Sequence, residues 1–472
     1  MRAPTAAGVR PPDTPLPAGF CIEFDRDARE IHPGVWFGGR PARVLTFTPA
    51  GRAALRRLRN QPVLDRVDGL VARRLTDVGI AHPVPPPVET PDVTVIIPVL
   101  DRTDALDRCL TSLGGSHPVL VVDDGSRDEL RVRAVCARHG VTVVRHPVNR
   151  GPATARNTGL ARTTTSLVAF VDSDTEPGPD AITALAGHLL DPDLAAVAPR
   201  VVPVAGSSAA SRYTSARSSL DLGTRPARVL PYTPVSYVPT AALLVRRSAL
   251  PAMAFDPSLR VGEDVDLIWR LVASGARVRF DPATAVSHHD PRTWTTLLHR
   301  RFRYGTSAAA LANRHAGNVA PLVLHPWPTA AVVAGLAGWP LPAAVAAAVA
   351  YARTRAALQR ANVPTDLAVP LTATALGYTL LGLSRYAVQF AAPALFASAV
   401  RGGPRSRAAT AALLLAPAVV AWRNRRAEIG PLTFAVGALA DDIAYGAGVV
   451  AGCVTHRTTL PLRPVLAPPR AG

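Results

Sequence analysis

The alternation of apolar runs with helical segments between residues 93 and 175 most constrains how this chain can fold. The runs VTVIIPVL, HPVLVVDDG, VTVVRHP and SLVAFVDSD are almost continuously apolar, and amphipathic segments such as DALDRCLTSL separate them. Strands of this kind are typical of a parallel sheet that is covered by helices on both faces. The pattern therefore predicts a nucleotide-binding α/β architecture.

Polar residues follow each of these predicted strands, where a core would not need them. They are Pro98 and Asp101, then Asp123 and Asp124, then Asn149, Arg150 and Gly151, and finally Asp172 and Asp174. Ligands of open α/β sheets bind beyond the carboxyl ends of the strands. Carboxylates there can hold a uracil or ribose by charge-assisted hydrogen bonds, Arg150 or Arg156 can pair with a phosphate, and an Asp-x-Asp pair suits Mg²⁺. The alternative is that these residues only form turns and helix caps.

The motif order points to one family. PVLDR, VVDDGS, NRGPATARNTG and VDSD, followed by TAALLVRRSAL, VGEDVDLIWRL and GARVRFDPATAVSHHD, resemble the successive motifs of the family 2 glycosyltransferases of GT-A fold. The resemblance covers roughly residues 93 to 305. It implies a mostly parallel sheet between helices, and we predict a catalytic domain at residues 93–315.

The resemblance also implies roles for individual residues. Asp264 would be the base that deprotonates the acceptor hydroxyl in a single inverting displacement, and Glu263 would contact the acceptor. Asp174 would bind Mg²⁺ or Mn²⁺ at the diphosphate of a UDP-sugar. The nucleotide sugar would be held by Pro98, Asp101, Asp123, Asp124, Arg150, Arg156 and Asp172. Alternatively, Glu263 and Asp264 are first-turn carboxylates favoured by the helix dipole.

The sequence AVSHHD adds a candidate metal ligand. Some relatives use a histidine at this position, so the resemblance implies that His289 is a further ligand and gives His288 the weaker claim. An exposed loop imidazole is the alternative for His289.

Three segments precede the predicted catalytic domain. Residues 1–18 are proline-rich and predict a disordered lead-in. Residues 19–82 combine short strands with two arginine-rich amphipathic helices, the second ended by Gly79, which predicts a winged-helix-like domain for peptide recognition or for packing alone. Residues 83–92, rich in proline, predict a linker.

The chain becomes basic and then apolar after the predicted catalytic domain. A basic amphipathic helix is predicted from Trp294 to His315, where Arg301 and Arg303 are candidate acceptor-binding residues or contacts to anionic lipid. Its HRRFRYG departs from the Gln-x-x-Arg-Trp of processive synthases, which argues against a long-chain membrane synthase. Residues 316–472 contain five apolar stretches between arginine clusters, and they predict a membrane-associated helical region whose connections face the cytoplasm.

The charge composition limits the kinds of molecule that this protein is expected to bind. The 52 basic residues against 34 acidic ones give a net charge of +18, which favours an anionic partner such as a nucleotide sugar or a membrane surface. We expect no nucleic acid beyond the donor nucleotide. The four cysteines lack metal-ligand spacing and predict free thiols in a reducing compartment.

The layout of the whole chain resembles family members that transfer glucose from UDP-glucose to a peptide-derived redox cofactor and build a short β-linked glucan. This resemblance implies an enzyme of the cell membrane whose catalytic domain lies on the cytoplasmic side. The alternative is a family 2 enzyme that acts on a lipid or cell-wall glycan.

Overall fold

The described part of the chain forms two compact units. The computed structural model describes residues 14–425 and 429–467. The units are residues 14–204 with 219–289, called here the N-terminal unit, and residues 205–218 with 290–467, called the C-terminal unit. The boundary after His289 lies earlier in the chain than the predicted boundary between residues 315 and 316.

The described residues begin inside the predicted lead-in. Residues 1–13 lie outside the described residues, but Leu16 is only 1% exposed and its N–H donates to the carbonyl of Gly69 at 2.9 Å. An apolar side chain fixed in this way belongs to a core. The described end of the lead-in therefore packs on the segment that follows it.

Five short strands and two helices build the segment after the lead-in. They are β1 (Cys21–Phe24), β2 (Arg29–His32), β3 (Val35–Gly38), β4 (Arg43–Thr46), α1 (Pro49–Leu58), α2 (Arg66–Val78) and β5 (Ala81–Val84). Asp65 caps α2 by accepting the N–H of Asp68 at 2.8 Å, and Gly79, at φ 76°, ends this helix as predicted. The start of the predicted linker is thus strand β5.

Two small sheets organise this segment. Strands β2, β3 and β4 form an antiparallel sheet, and β1 pairs antiparallel with β5. Trp36, Leu58 and Leu75 lie in the core between the sheets and the helices. The order of strands followed by two helices agrees with the prediction, and the pairing of β1 with β5 is an addition to it.

The predicted alternation of strands and helices is confirmed in the next stretch. Its elements are β6 (Val93–Val99), α3 (Thr103–Leu113), β7 (Val119–Asp123), α4 (Glu129–Arg138), β8 (Thr142–Arg145), α5 (Pro152–Leu160) and β9 (Leu167–Val171). The strands lie in the parallel order β8-β7-β6-β9. Every residue of β9 is buried, as expected for a strand covered on both faces.

Further strands extend the sheet beyond β9. The elements are β10 (Thr175–Glu176), α6 (Ala181–Ala186), β11 (Leu194–Pro203), β12 (Ala227–Arg228), β13 (Ala242–Arg246), α8 (Glu263–Ala273) and β14 (Arg277–His288). The order continues as β9-β13-β11-β14-β10, in which only β11 and β14 pair parallel. The sheet is therefore mixed, with its parallel half around β6.

Buried ion pairs bind the small N-terminal segment to this sheet. Arg73 of α2 donates to both carboxylate oxygens of Asp191 at 2.6 Å, and Arg277 at the start of β14 donates to both oxygens of Asp77 at 2.8 Å. Arg73 and Arg277 are 4% and 2% exposed. Breaking a buried pair leaves an uncompensated charge, so these contacts hold the segment as part of the N-terminal unit.

Helices make up most of the C-terminal unit. They are α7 (Ala209–Arg217), α9 (Trp294–Arg314), α10 (Pro326–Leu336), α11 (Pro340–Arg360), α12 (Ala368–Arg401), α13 (Pro404–Arg425) and α14 (Pro431–Thr455), with the short strands β15 (Val323–Leu324) and β16 (Val465–Leu466) pairing parallel. Among the described residues, the segments Thr365–Arg401 and Pro431–Thr455 are long and apolar enough to cross a membrane. Buried core helices of soluble proteins share that property.

The two carboxylates inside α14 are paired. Asp441 accepts hydrogen bonds from the hydroxyl of Tyr213 at 3.0 Å and from Nε of Arg301, and Asp442 pairs with Arg217 at 3.0 Å. A buried carboxylate with such partners avoids most of the cost of leaving water. Asp441 and Asp442 therefore belong to the packing of α14 against α7 and α9.

Candidate active site

The carboxyl ends of several strands meet at one edge of the sheet. Strands β6, β7 and β9 run parallel, and Val99 lies opposite Asp123 in the register. Strand β14 also runs in the direction of β9, because it is parallel to β11 and both β11 and β9 are antiparallel to β13. The residues after these strands, including Asp172 and His288, therefore belong to one edge, where α/β sheets bind ligands.

Asp101 and Asp123 shape the loop after β7. Asp101, at φ 55°, accepts the N–H of Arg127 at 2.7 Å and donates its own N–H to Oγ of Ser126 at 3.0 Å. Asp123 is 1% exposed and accepts from the N–H of Ser126 at 2.9 Å and from Arg145. The Asp101 side chain is exposed, so it is the more accessible of these two predicted nucleotide contacts.

Arg145, which pairs with Asp123, was not among the residues predicted from the sequence. Arg145 ends β8 and lies opposite Asp123 in the parallel register. The only signal in the sequence was that both residues close an apolar run. Pro98 lies within β6, one position before that strand ends, and is partly buried.

Asp124 holds the loop between β8 and α5. It is 4% exposed and accepts the N–H groups of Arg150 at 2.9 Å and Gly151 at 2.7 Å, and its Oδ1 lies 2.7 Å from Nδ1 of His146. Gly151 has φ 93°, which favours glycine, so the carboxylate and the glycine together fix the loop. Asp124 does not cap α4, because Asp128 does so.

Arg150 presents its side chain to solvent. The residue is exposed, and among residues 14–425 and 429–467 its guanidinium makes no hydrogen bond or ion pair. A guanidinium without a protein partner can bind a phosphate in a bidentate manner. Arg150 is therefore the better candidate of the two arginines predicted to contact a phosphate.

Arg156, the other arginine of that prediction, is bonded to two carboxylates. Its Nη1 donates to Oε1 of Glu263 at 2.7 Å and its Nη2 to Oδ1 of Asp172 at 2.6 Å, and the residue is 3% exposed. A guanidinium that is occupied by two carboxylates is not available to a phosphate. Glu263 is likewise buried and its Oε1 accepts from Arg156, and its contact with the acceptor stays a prediction.

The structure distinguishes the two adjacent histidines. His288 Nε2 lies 3.5 Å from Oδ1 of Asp174, whereas His289 Nε2 lies 2.6 Å from Oε1 of Glu176. His288 ends β14, and His289 follows it and donates its backbone N–H to the carbonyl of Asp174 at 3.1 Å. The histidine side chain that approaches Asp174 is thus His288, whereas the sequence prediction preferred His289 as the metal ligand. Asp174 also pairs with Arg102.

Asp264 lies in the first turn of α8, next to Glu263. Its Oδ1 accepts the N–H of Val265 at 2.8 Å. Burial and the charge of Glu263 raise the pKa of Asp264 to about 7, although Arg156 acts in the opposite direction. Burial also raises the pKa of Asp172. A carboxylate with a pKa near 7 can take up a proton at neutral pH, as a general base must.

The two remaining predicted acceptor residues lie in the C-terminal unit. Arg301 is partly buried, bonded to Asp441, and its guanidinium lies 5.2 Å from the centre of the Tyr445 ring. Arg303 is exposed. The Arg301 side chain is thus committed to α14, which leaves Arg303 as the accessible cation of this pair.

Comparison with known proteins identifies the family. The model of glycosyl transferase family 2 matches residues 94–251. The Pre-mycofactocin glycosyltransferase of Mycobacterium tuberculosis is 40% identical over 469 residues, which cover 96% of this chain and 98% of the relative. This chain belongs to glycosyltransferase family 2. It is an enzyme, and its mixed sheet with flanking helices has the GT-A fold that the motifs predicted.

More distant similarities cover parts of this family 2 enzyme. The succinoglycan biosynthesis protein ExoU of Rhizobium meliloti is 29% identical over 208 residues, covering 40% of this chain and 59% of the relative. Among solved structures, the mannosyltransferase PcManGT of Pyrobaculum calidifontis, in complex with GDP-Man and Mn²⁺, is 19% identical with a TM-score of 0.44. The match covers 79% of this chain and 89% of that one.

The residues around Asp174 fit a divalent cation only in part. No group of three or more histidine, cysteine or acidic side chains in the described residues is arranged to hold a metal ion. Asp174 and His288 nevertheless offer one oxygen and one nitrogen 3.5 Å apart. Mg²⁺ often takes only one or two protein ligands and receives the rest from phosphates and water. The pair therefore fits a cation that is completed by a bound diphosphate.

Proposed function

We propose that this enzyme transfers glucose from UDP-glucose to a peptide-derived redox cofactor of the mycofactocin type, with inversion, and builds a short β-linked glucan. The observation that carries the proposal is the 40% identity to the Pre-mycofactocin glycosyltransferase over nearly the whole of both chains. A similarity confined to the catalytic domain would support the reaction class alone. Here it includes the small N-terminal segment and the apolar C-terminal unit.

Asp264 is the base of the proposed reaction. The acceptor hydroxyl loses its proton to the Asp264 carboxylate while its oxygen forms a bond to the anomeric carbon. The bond from that carbon to the diphosphate breaks on the opposite face, and one such displacement inverts the configuration. The pKa of about 7 supports this role, because the ionised form is present at neutral pH and still binds a proton well.

The donor occupies the edge of the sheet near β6, β7 and β9. Asp101 faces the uridine, next to Pro98 and the loop that the buried Asp123 holds through Ser126, and Asp172 faces the ribose. Asp124 acts through the loop that it holds, which presents Arg150 to the diphosphate. Arg156 is no longer among the donor contacts, because both of its amino groups are bound to carboxylates.

Asp174 and His288 would hold Mg²⁺ or Mn²⁺. When bound, the cation supplies Lewis-acid stabilisation of the negative charge on the leaving diphosphate. Asp174 would contribute an oxygen and His288 a nitrogen, and the donor and water would supply the remaining ligands.

The N-terminal segment presents the acceptor in this proposal. Its three-stranded sheet has the exposed arginine Arg43 at β4, and α1 adds the exposed Arg56. Removing the segment would expose the buried Arg277 and Asp191, so the test keeps the chain complete. Arg43→Glu with Arg56→Glu should change the KM for the acceptor and leave the KM for UDP-glucose unchanged. An unchanged acceptor KM would rule out these two arginines as acceptor contacts.

The C-terminal unit associates with the cell membrane, and we propose that the N-terminal unit faces the cytoplasm. Exposed large apolar side chains such as Trp339, Leu341, Val369 and Tyr378 support this proposal. Arg401 ends α12, and Arg405 and Arg407 lie in the first turn of α13, so basic residues flank the connection of these helices, which favours the cytoplasmic side. Recovery of the protein in the soluble fraction without detergent would contradict the proposal.

A lipid or cell-wall glycan acceptor is the second candidate. The same exposed apolar side chains favour it, because they could bring the site to a lipid-linked acceptor. The test measures UDP release by the purified protein with UDP-glucose and Mg²⁺ or Mn²⁺, with no acceptor, with the peptide-derived cofactor, and with a lipid-linked glycan. Stimulation by the cofactor supports the first proposal, and stimulation by the lipid alone supports the second.

UDP-galactose and UDP-N-acetylglucosamine serve as competing donors in the same assay. Asp264→Asn is the control for background hydrolysis, because it keeps the size and the polarity of the side chain. It should abolish transfer and retain UDP binding. Normal turnover by this variant would disprove the assigned base.

A further inference from the structure

Arg156 connects two distant parts of the site. It extends from α5 to Asp172, 16 residues away at the end of β9, and to Glu263, 107 residues away in the first turn of α8. The two hydrogen bonds measure 2.6 and 2.7 Å, and the residue is 3% exposed. Charge-assisted bonds of this length are strong and directional. The guanidinium therefore fixes the spacing between these two carboxylates.

The arginine is itself held from the other side. Its guanidinium lies 5.4 Å from the centre of the Phe255 ring. The neighbouring Asn157 donates to the carbonyl of Phe255 at 2.6 Å and accepts its N–H at 3.0 Å, so Phe255 is attached to α5. Phe170 of β9 meets the same ring edge-on at 5.0 Å. Few alternative positions are open to a side chain packed in this way.

We infer that Arg156 is a positioning residue for the transfer reaction. It joins the end of β9 to the first turn of α8 and thereby sets where Asp264 stands relative to the donor side of the site. This inference rests on the proposed function, in which Asp264 accepts the proton. A displacement of about 1 Å in such a group can cost about a hundredfold in rate.

The charge of Arg156 supports the same conclusion. Three carboxylates, those of Asp172, Glu263 and Asp264, surround this one guanidinium, and its charge lowers the pKa of Asp264 against the effects of burial and of Glu263. Without Arg156 the pKa of Asp264 would rise further. More of the base would then be protonated at neutral pH, so the pH below which activity falls would increase.

Two substitutions separate geometry from charge. Arg156→Lys keeps the positive charge, but an ammonium lacks the planar fork that reaches both carboxylates. We expect kcat to fall about tenfold with the acidic limb of the pH profile near its original place. Arg156→Met removes both features, so the limb should also move up by about one pH unit.

A third variant reverses the sign of the electrostatic change. Glu263→Gln keeps an oxygen that can accept from Arg156 but removes the charge that raises the pKa of Asp264. The acidic limb should therefore move to lower pH. Arg162→Met is the matched control, because Arg162 is an exposed arginine just after α5, and this variant should behave as the wild type.

The experiment measures kcat, the KM for UDP-glucose and the KM for the acceptor between pH 5.5 and 9 for the four variants of the full-length protein. Circular dichroism checks that each is folded. If Arg156→Met does not fold, Arg156→Lys and Glu263→Gln still test the inference. Unchanged kcat in Arg156→Lys, or limbs of Arg156→Met and Glu263→Gln that move in the same direction, would overturn it. A wild type that releases no UDP refutes the proposed function instead.

Discussion

Replacing Asp264 by asparagine should make the protein more stable at alkaline pH while abolishing transfer. Asparagine has the size of aspartate, and its oxygen can still accept the N–H of Val265. It carries no charge, however, whereas burial and the neighbouring Glu263 destabilise the charged form of Asp264 in the folded protein. The substitution therefore removes a destabilising charge that the wild type retains for function.

The sign and size of the effect follow from the pKa of Asp264. Burial and Glu263 raise it from 3.8 to about 7, so the folded protein binds the proton more tightly than the unfolded chain does. The contribution of Asp264 to stability is therefore fully present below about pH 3.8, decreases as the pH rises, and is lost above about pH 7. A shift of roughly three units corresponds to a ceiling of about 4 kcal/mol.

The interval from pH 5 to pH 7 covers about two of these three pH units. The free energy of unfolding of the variant should therefore increase relative to that of the wild type by up to about 3 kcal/mol over this interval. Thermal unfolding at pH 5 and pH 8, followed by circular dichroism, measures this growth. At about 2 to 4 °C per kcal/mol, the difference in Tm between variant and wild type should be several degrees larger at pH 8. A difference that is equal at both pH values, or smaller at pH 8, would refute the reasoning.

Three further predictions concern the metal pair, the donor loop and the C-terminal unit. Asp174→Ala and His288→Ala should each weaken Mn²⁺-dependent binding of UDP-glucose by about tenfold or more, whereas His289→Ala should not. Calorimetry with and without the cation measures the binding. A larger effect of His289→Ala would contradict the assignment. Gly151→Ala should raise the KM for UDP-glucose, since φ 93° is unfavourable for alanine and the loop presents Arg150. Gly448→Ala should lower the Tm, because its Cβ would clash with the carbonyl oxygen of Phe302, whereas Gly377→Ala, which points into open space, should not.

The sequence was sufficient for the sheet and for the ends of its strands. The apolar runs around Ile96, Val121 and Phe170 predicted buried parallel strands. The polar residues after these strands were correctly expected at one edge of the sheet. The position of a residue beyond a strand depends mainly on local chain geometry. For this reason the pattern predicts it well.

The partners of those residues were beyond the reach of local patterns. Arg156 was predicted to bind a phosphate because the sequence does not show that two carboxylates already bind it. These carboxylates, Asp172 after β9 and Glu263 in α8, are distant in the chain, and only the tertiary structure brings them to Arg156. The choice between His288 and His289 depended on the pairing of β14 with β10, where His288 lies opposite Thr175. A shift of one residue in that register would have exchanged the two side chains.

The buried ion pairs of the N-terminal segment have a consequence for synthesis of the chain. The partner of Arg73, Asp191, is synthesised 118 residues later, and Arg277, a partner of Asp77, is synthesised 200 residues later. At roughly 5 to 20 residues per second, Asp77 is made about 10 to 40 seconds before Arg277. The contacts of the segment with β14 can form only after that strand has been made. A segment that precedes the large sheet in the chain is thus among the last parts of the N-terminal unit to reach its final environment.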